Sequence, residues 1–277
     1  MIGLGARNRR RRHGLLAILF VAAAGLVSSG CAGGGTSVTP GTEAHVTPYT
    51  YVAIGGNESV GFDAHDPVRQ AFPVLLDRRL PDQTVFYDLA VPDAAAADVL
   101  THQEAAALAL RPNLVTIWVG LSDLEDGVSP TEFGSELQKI VAPLRALHAQ
   151  VLLANIEPIT DAPAYEACAG VQGSPPDSGS SHCFIDNRFA GHTLPPAEVT
   201  NAALASYDAQ VAAVAVRDGA ELVNVNAAMS QSGAGSPSPF STDDLDLSTA
   251  GHALAARLFI SAWRSPRTAL GSGSGSG

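Results

Sequence analysis

Basic charge is scarce in this chain of 277 residues: 16 Lys and Arg stand against 27 Asp and Glu, and five of the arginines lie within the first twelve positions. The remainder carries 11 basic residues against 27 acidic ones, a surface that repels phosphate backbones and excludes a nucleic-acid partner. Cysteine is also rare, at three residues, and no internal repeat is present. No apolar run reaches the ~20 residues that a membrane-spanning helix needs. Nor is the composition that of a disordered chain, because 46% of the residues are hydrophobic.

What is present begins with a positively charged stretch, Arg7 to His13, then the apolar run Leu15 to Val27 and the small residues Ser28-Ser29-Gly30 before Cys31. That order is the signature of an export signal. A cysteine placed directly after small residues resembles a bacterial lipobox, so residues 1–30 are expected to be a lipoprotein signal peptide and Cys31 the lipid-attachment site. The partner implied is a membrane, reached through that anchor on an exported protein. Residues 31–47, rich in Gly, Thr and Pro, are a flexible tether. Residues 266–277 are a tail ending in a repeating GSG pattern that resembles an artificial linker. The folded domain is then 48–265, long enough to bury a substantial core.

Within it, short apolar runs alternate with amphipathic stretches of helical length, which indicates βα units and a mainly parallel sheet. Strands are expected at 49–55, 83–90, 113–120, 150–156 and 220–226, and helices near 67–80, 101–110, 130–148, 196–217 and 248–263. The fold class that follows is a three-layer α/β/α domain around five strands. The segment 157–195 interrupts the rhythm, being rich in Pro, Gly and Ser, and a long excursion of this kind is usually functional or disordered. Its two cysteines, Cys168 and Cys183, are expected to form a disulfide in an exported protein. With His182 and His192 they match no standard metal-ligand spacing. No metal or cofactor is expected.

In open α/β sheets, ligands bind beyond the carboxyl ends of the strands. The first strand exits into Ile54-Gly55-Gly56-Asn57-Glu58-Ser59-Val60-Gly61. This block resembles the opening motif of the SGNH (GDSL) hydrolases. Asp88 to Asp93 resembles their second block, Gly120-Leu121-Ser122-Asp123 the third, and Asp243 to His252 the last. The resemblance spans about 49–263 and implies a flavodoxin-like hydrolase fold. By the same resemblance, Asn57 stands at the nucleophilic serine, Asp246 at the general-base histidine, and Asp93 and Ser122 at oxyanion-stabilising glycine and asparagine positions; Asp243 retains the family's aspartate. An amide cannot form an acyl-enzyme, and an ordinary carboxylate is a poor base for a serine hydroxyl.

The first expectation is therefore a hydrolase-like protein without serine-esterase activity, binding a small-molecule, acyl or glycan ligand. An active esterase using a displaced nucleophile, Ser59, and a displaced base, His252, is the alternative; an envelope interaction module using the disulfide-bearing loop is a third. Asp93, Asp243 and Asp246, with Glu58, would converge beside Asn57 and Ser122 if the family geometry holds. Such a cluster would raise its own pKa values, attract Ca²⁺ or bind sugar hydroxyls. Set against this is a local capping role for Asp243, Asp244 and Asp246 before the helix that starts at Ser248, which is preferred over a metal site.

Overall fold

The computed structural model describes residues 48–169, 183–190, 193–232 and 236–265. The signal peptide, Cys31, the tether and the tail lie outside them. Five strands form a single sheet: β1 (Thr50–Gly55), β2 (Val85–Asp88), β3 (Leu114–Trp118), β4 (Gln150–Ala154) and β5 (Glu221–Val223). Their order is β2-β1-β3-β4-β5 and every pairing is parallel. The three central strands are almost wholly buried, whereas β2 and β5 are largely exposed edges. That division follows from geometry, since a parallel sheet is covered on both faces and only its borders meet water.

The helices in chain order are α1 (Asn57–Val60), α2 (Pro67–Gln70), α3 (Phe72–Asp77), α4 (Ala96–Asp98), α5 (Glu104–Ala109), α6 (Leu121–Glu125), α7 (Pro130–Ala146), α8 (Pro163–Ala169), α9 (Ala197–Asp218), α10 (Val225–Ser230) and α11 (Thr249–Arg264). One layer sets α3 against α11, the other α7 against α9 with α4 and α5 alongside. On the first face, Phe72 stacks on Phe259 at 4.5 Å between ring centroids, and Trp118 lies 5.9 Å from Phe259. On the second, Phe133 of α7 meets Tyr207 of α9 at 5.0 Å. Both contacts join elements distant in sequence, which makes the sheet faces the core.

Local chemistry explains the boundaries. Ser129 caps α7 by accepting a bond from the Glu132 N–H, and Ser248 caps α11 by accepting one from Gly251. The long helix α9 ends at Gly219 in the left-handed region. The helix expected over 67–80 is two, because the chain turns extended at Ala71, which ends α2 and precedes α3 with Pro73 in its first turn. Between α4 and α5 the chain makes a π turn, Val99–Gln103, that starts earlier than the expected helix and directs Gln103 inward. Cys168 and Cys183 form the expected disulfide.

Candidate functional site

The site is built at the carboxyl end of β1. Gly55 lies opposite Trp118 of β3 and has a φ of 139°; a Cβ there would sit 2.1 Å from the Trp118 carbonyl oxygen, so only glycine fits. Gln103 grips the same residue from both sides, accepting from the Gly55 N–H at 2.9 Å and donating to its carbonyl at 3.0 Å. The chain leaving the strand is therefore held in one direction. It delivers Asn57 to the first position of α1, almost fully buried.

Asn57 is committed to Asp93. Its amide nitrogen donates to Asp93 Oδ1 at 3.2 Å, and the Asp93 N–H donates to Asn57 Oδ1 at 2.8 Å. Asp93 has a φ of 58°, a left-handed backbone for which glycine is the ordinary choice. Aspartate is one of the few side chains that tolerates it. The reciprocal pair closes one side of the crevice.

The other side is an ion-pair cluster centred on Arg188. This residue ends the 3₁₀ segment Phe184–Arg188, five positions after Cys183. Its Nε lies 2.7 Å from Glu125 Oε1, and one terminal nitrogen lies 2.7 Å from Asp246 Oδ2 and also bonds Asp244. The neighbouring backbone is tied down as well, since the Ala190 N–H donates to the Glu125 carbonyl at 2.6 Å. Burial raises the Asp246 carboxyl above its usual range, while Arg188 and the nearby Asn57 amide oppose the rise. Asp246 is thus a buried ion-pair partner of Arg188, and the capping of α11 falls to Ser248.

Beneath this cluster lie two further buried acids. Glu157, just past β4, accepts a bond from the Trp118 indole at 3.0 Å. Burial, and then the nearby Asp246, push the Glu58 carboxyl up to about 7; burial and the charge of Glu58 hold Glu157 well above the carboxylate range. Burial likewise lifts Glu125 to about 8 against the pull of Arg188. On the neighbouring helix, Asp123 accepts the Ala96 N–H with both carboxylate oxygens, at 3.0 and 3.2 Å, and fixes the start of α4.

The remaining expected residues are placed as follows. Ser122 is half-buried in α6, and no hydrogen bond joins its hydroxyl to Asn57, Asp93 or Asp246. Asp243 is exposed and, among the described residues, accepts from Ser241 Oγ within its own turn. Ser59 is fully buried and donates to the Ile54 carbonyl at 3.3 Å. His252 is also fully buried, with Nε2 3.1 Å from the Phe62 carbonyl, and burial lowers it to about 4. An imidazole facing a carbonyl carries its proton on Nε2, so His252 is a neutral donor there. Serine and histidine are each bonded to a different backbone oxygen and not to one another.

Comparison with known proteins gives this arrangement its family. A model of the GDSL-like lipase/acylhydrolase family matches residues 35–254, most of the chain. The chain belongs to the GDSL-like lipase/acylhydrolase family. Among solved structures, this GDSL-like chain is similar to a GDSL-like lipase from Parabacteroides merdae, with a TM-score of 0.57 and 12% identity over 77% of this chain and 94% of that one. It is similar also to the lipase/acylhydrolase from Enterococcus faecalis, at 0.56 and 15% over 79% and 98%. An acetyl-xylooligosaccharide esterase from Geobacillus gives 0.54 and 15% over 79% and 95%. At such identities the likeness is one of fold. No curated protein sequence matches the chain.

Three participants in the GDSL-like crevice escape a motif reading: Arg188, Glu125 and Glu157. Their signals were positional. Arg188 is the one Lys or Arg in 157–195, Glu157 lies three residues past the fourth strand, and Glu125 lies in the short helix that begins at Leu121. Among the described residues, a trio able to approach a metal ion is Asp63, Asp244 and Asp246, whose oxygens lie within 4.8 Å of one another. Arg188 already bonds two of the three, so the cation there is the protein's own. Beside Asp93 opens a cleft of about 320 Å³ lined by Val91, Pro92, Ala94, Asp98, His102 and Gln103. It is mainly apolar, with a few polar groups at its edge, the common character of a small-molecule site.

Proposed function

We propose that this protein is an exported, lipid-anchored member of the family that binds a ligand at the β1 crevice and does not hydrolyse esters through a serine. One observation carries the reading: the side chain at the mouth of β1 is an amide paired reciprocally with Asp93. Where the family's motif implies a base for the nucleophile, Asp246 is paired with Arg188. Acyl transfer needs a nucleophile within reach of a base that can accept its proton, and neither role is filled by this pair. The oxyanion region is also altered, because Asp93 adds a carboxylate close to where negative charge would develop.

The cleft beside Asp93 is the proposed ligand site, suited to a small-molecule, acyl or glycan ligand with an apolar portion. Export is supported by the disulfide, a bond of oxidising compartments. Among the described residues, no helix is long and apolar enough to cross a membrane. Attachment through Cys31 rests on the lipobox-like sequence around it. A fluorophosphonate probe tests the central reading: no serine is labelled, whereas covalent modification of Ser59 would overturn it. Replacing Cys31 with Ala is expected to move the protein from the membrane to the soluble fraction, and unchanged membrane retention would refute the anchor.

A further inference from the structure

Carboxyl groups outnumber cations at the base of the crevice. Glu58 from α1, Glu125 from α6, Glu157 from the exit of β4 and Asp246 from the loop before α11 are all more than nine-tenths buried. Asp244 adds a fifth carboxyl at the rim, Asp63 approaches from the loop after α1, and Asp93 faces the group through Asn57. Against them stands, among the described residues, the guanidinium of Arg188; His252 from α11 is neutral and bonded to the Phe62 carbonyl. Full ionisation would leave several uncompensated charges in a space with little water, which is strongly unfavourable.

The atoms show where a proton is missing. Glu58 Oε1 and Glu157 Oε1 are buried without a donor, although Glu157 Oε2 is bonded by Trp118. The two carboxyl groups lie in hydrogen-bonding range of one another. Two carboxylates have no hydrogen to share, whereas one protonated carboxyl supplies the bond that both oxygens lack.

We propose that Glu58 and Glu157 hold a shared proton at neutral pH, and that its loss forces α1 away from the exit of β4, making the floor of the crevice a pH-sensitive switch. Among the described residues, the proton joins two elements that no other side-chain hydrogen bond connects directly. α1 carries Asn57 and Glu58 together, so displacement of Glu58 also loosens the Asn57–Asp93 pair. Linkage fixes the direction. A carboxyl that keeps its proton in the folded state but loses it when unfolded contributes stability at acid pH; that contribution disappears as pH rises through the folded-state value.

Trp118 is the built-in reporter, since its indole bonds Glu157 directly. The experiment follows tryptophan emission and acrylamide quenching from pH 5 to 9 in the Trp263→Phe protein, with far-UV circular dichroism recorded in parallel. A reversible change centred near 7, with quenching rising about two-fold or more and the circular dichroism constant, is expected. The melting temperature should fall by roughly 5–10 °C between pH 6 and 8.5. Glu58→Gln and Glu157→Gln, which imitate the protonated acid, should each abolish the optical transition and make the melting profile shallower, the slope that remains belonging to Glu125 and Asp123.

A flat response in the parent protein overturns the proposal, and so does a transition that survives in both variants. Should neither variant fold, ¹³C carboxyl resonances of glutamate in the parent decide. Because burial also raises Glu125 to about 8, at least two glutamate resonances besides that of Glu125 are expected to titrate above pH 6; one or none beyond it overturns the proposal.

Discussion

Two buried polar networks stand at the same carboxyl edge of the sheet and obey opposite rules. Beyond β4 and β5, Asn155 donates to Asp208 at 3.0 Å and to Asn224 at 3.1 Å, while its oxygen accepts from the Val225 and Asn226 N–H groups at 2.8 and 3.2 Å. Asp208 also receives the Ile156 N–H, and Asn226 returns a bond to the Ile156 carbonyl. The β1 crevice, by contrast, leaves oxygens of Glu58, Glu157 and Asp246 buried without donors. A fully satisfied network stabilises a junction; one with orphan atoms marks a place where the protein carries charge or protons for another reason.

That contrast can be broken most forcefully at Arg188. Arg188→Met strands the Asp246 carboxylate in the interior and takes the donor from Glu125, and calorimetry at neutral pH is expected to show a loss of about 3–5 kcal/mol. A loss below ~1 kcal/mol would mean that the ion pairs hold nothing in place. Removing the disulfide by Cys168→Ser with Cys183→Ser should cost about 3 kcal/mol through the freer unfolded chain, read from urea unfolding. Equal stability of the two forms would uncouple the Arg188 segment from its covalent anchor.

On the satisfied side, Asn155→Ala removes bonds to two side chains and two backbone groups, and about 2–3 kcal/mol is expected from denaturant midpoints. Its pH profile between 6 and 8.5 should match the parent's, since the acids of the crevice are untouched. A changed profile would show that the two networks act as one. The smallest effect belongs to Asn57→Ser, which gives up two bonds to the exposed Asp93 and should lower stability by about 1 kcal/mol. Restoring the hydroxyl alone should yield no p-nitrophenyl acetate turnover above a heat-treated control, because Asp246 remains paired with Arg188 where a base is required.

The sheet was legible because its pattern is local. Apolar runs bounded by helical periodicity place all five strands within a few residues of their observed limits, and capping serines mark the starts of α7 and α11. Short helices such as α1, α6 and α10 escaped, since a helix of one or two turns has no measurable periodicity and is held by its neighbours. The crevice was half legible. Motif spacing brought Asn57, Asp93 and Asp246 into view, and the structure joins Asn57 to Asp93 and sets Asp246 beside them. Asp243, expected with them, faces solvent in its turn. Arg188 was hidden because it reaches the site from a segment without periodicity, and an ion pair between residues 63 positions apart, like that to Glu125, has no signature along the chain.

Residue order was enough to establish a parallel α/β domain, its five strands, the disulfide partners and the unusual residues at the mouth of β1, since each depends on periodicity or on spacing between near neighbours. Which charges meet and which buried atoms go without partners were settled only when distant segments were packed together. Coulomb interactions and desolvation depend on distance and surroundings in three dimensions, and a linear chain specifies neither until it folds.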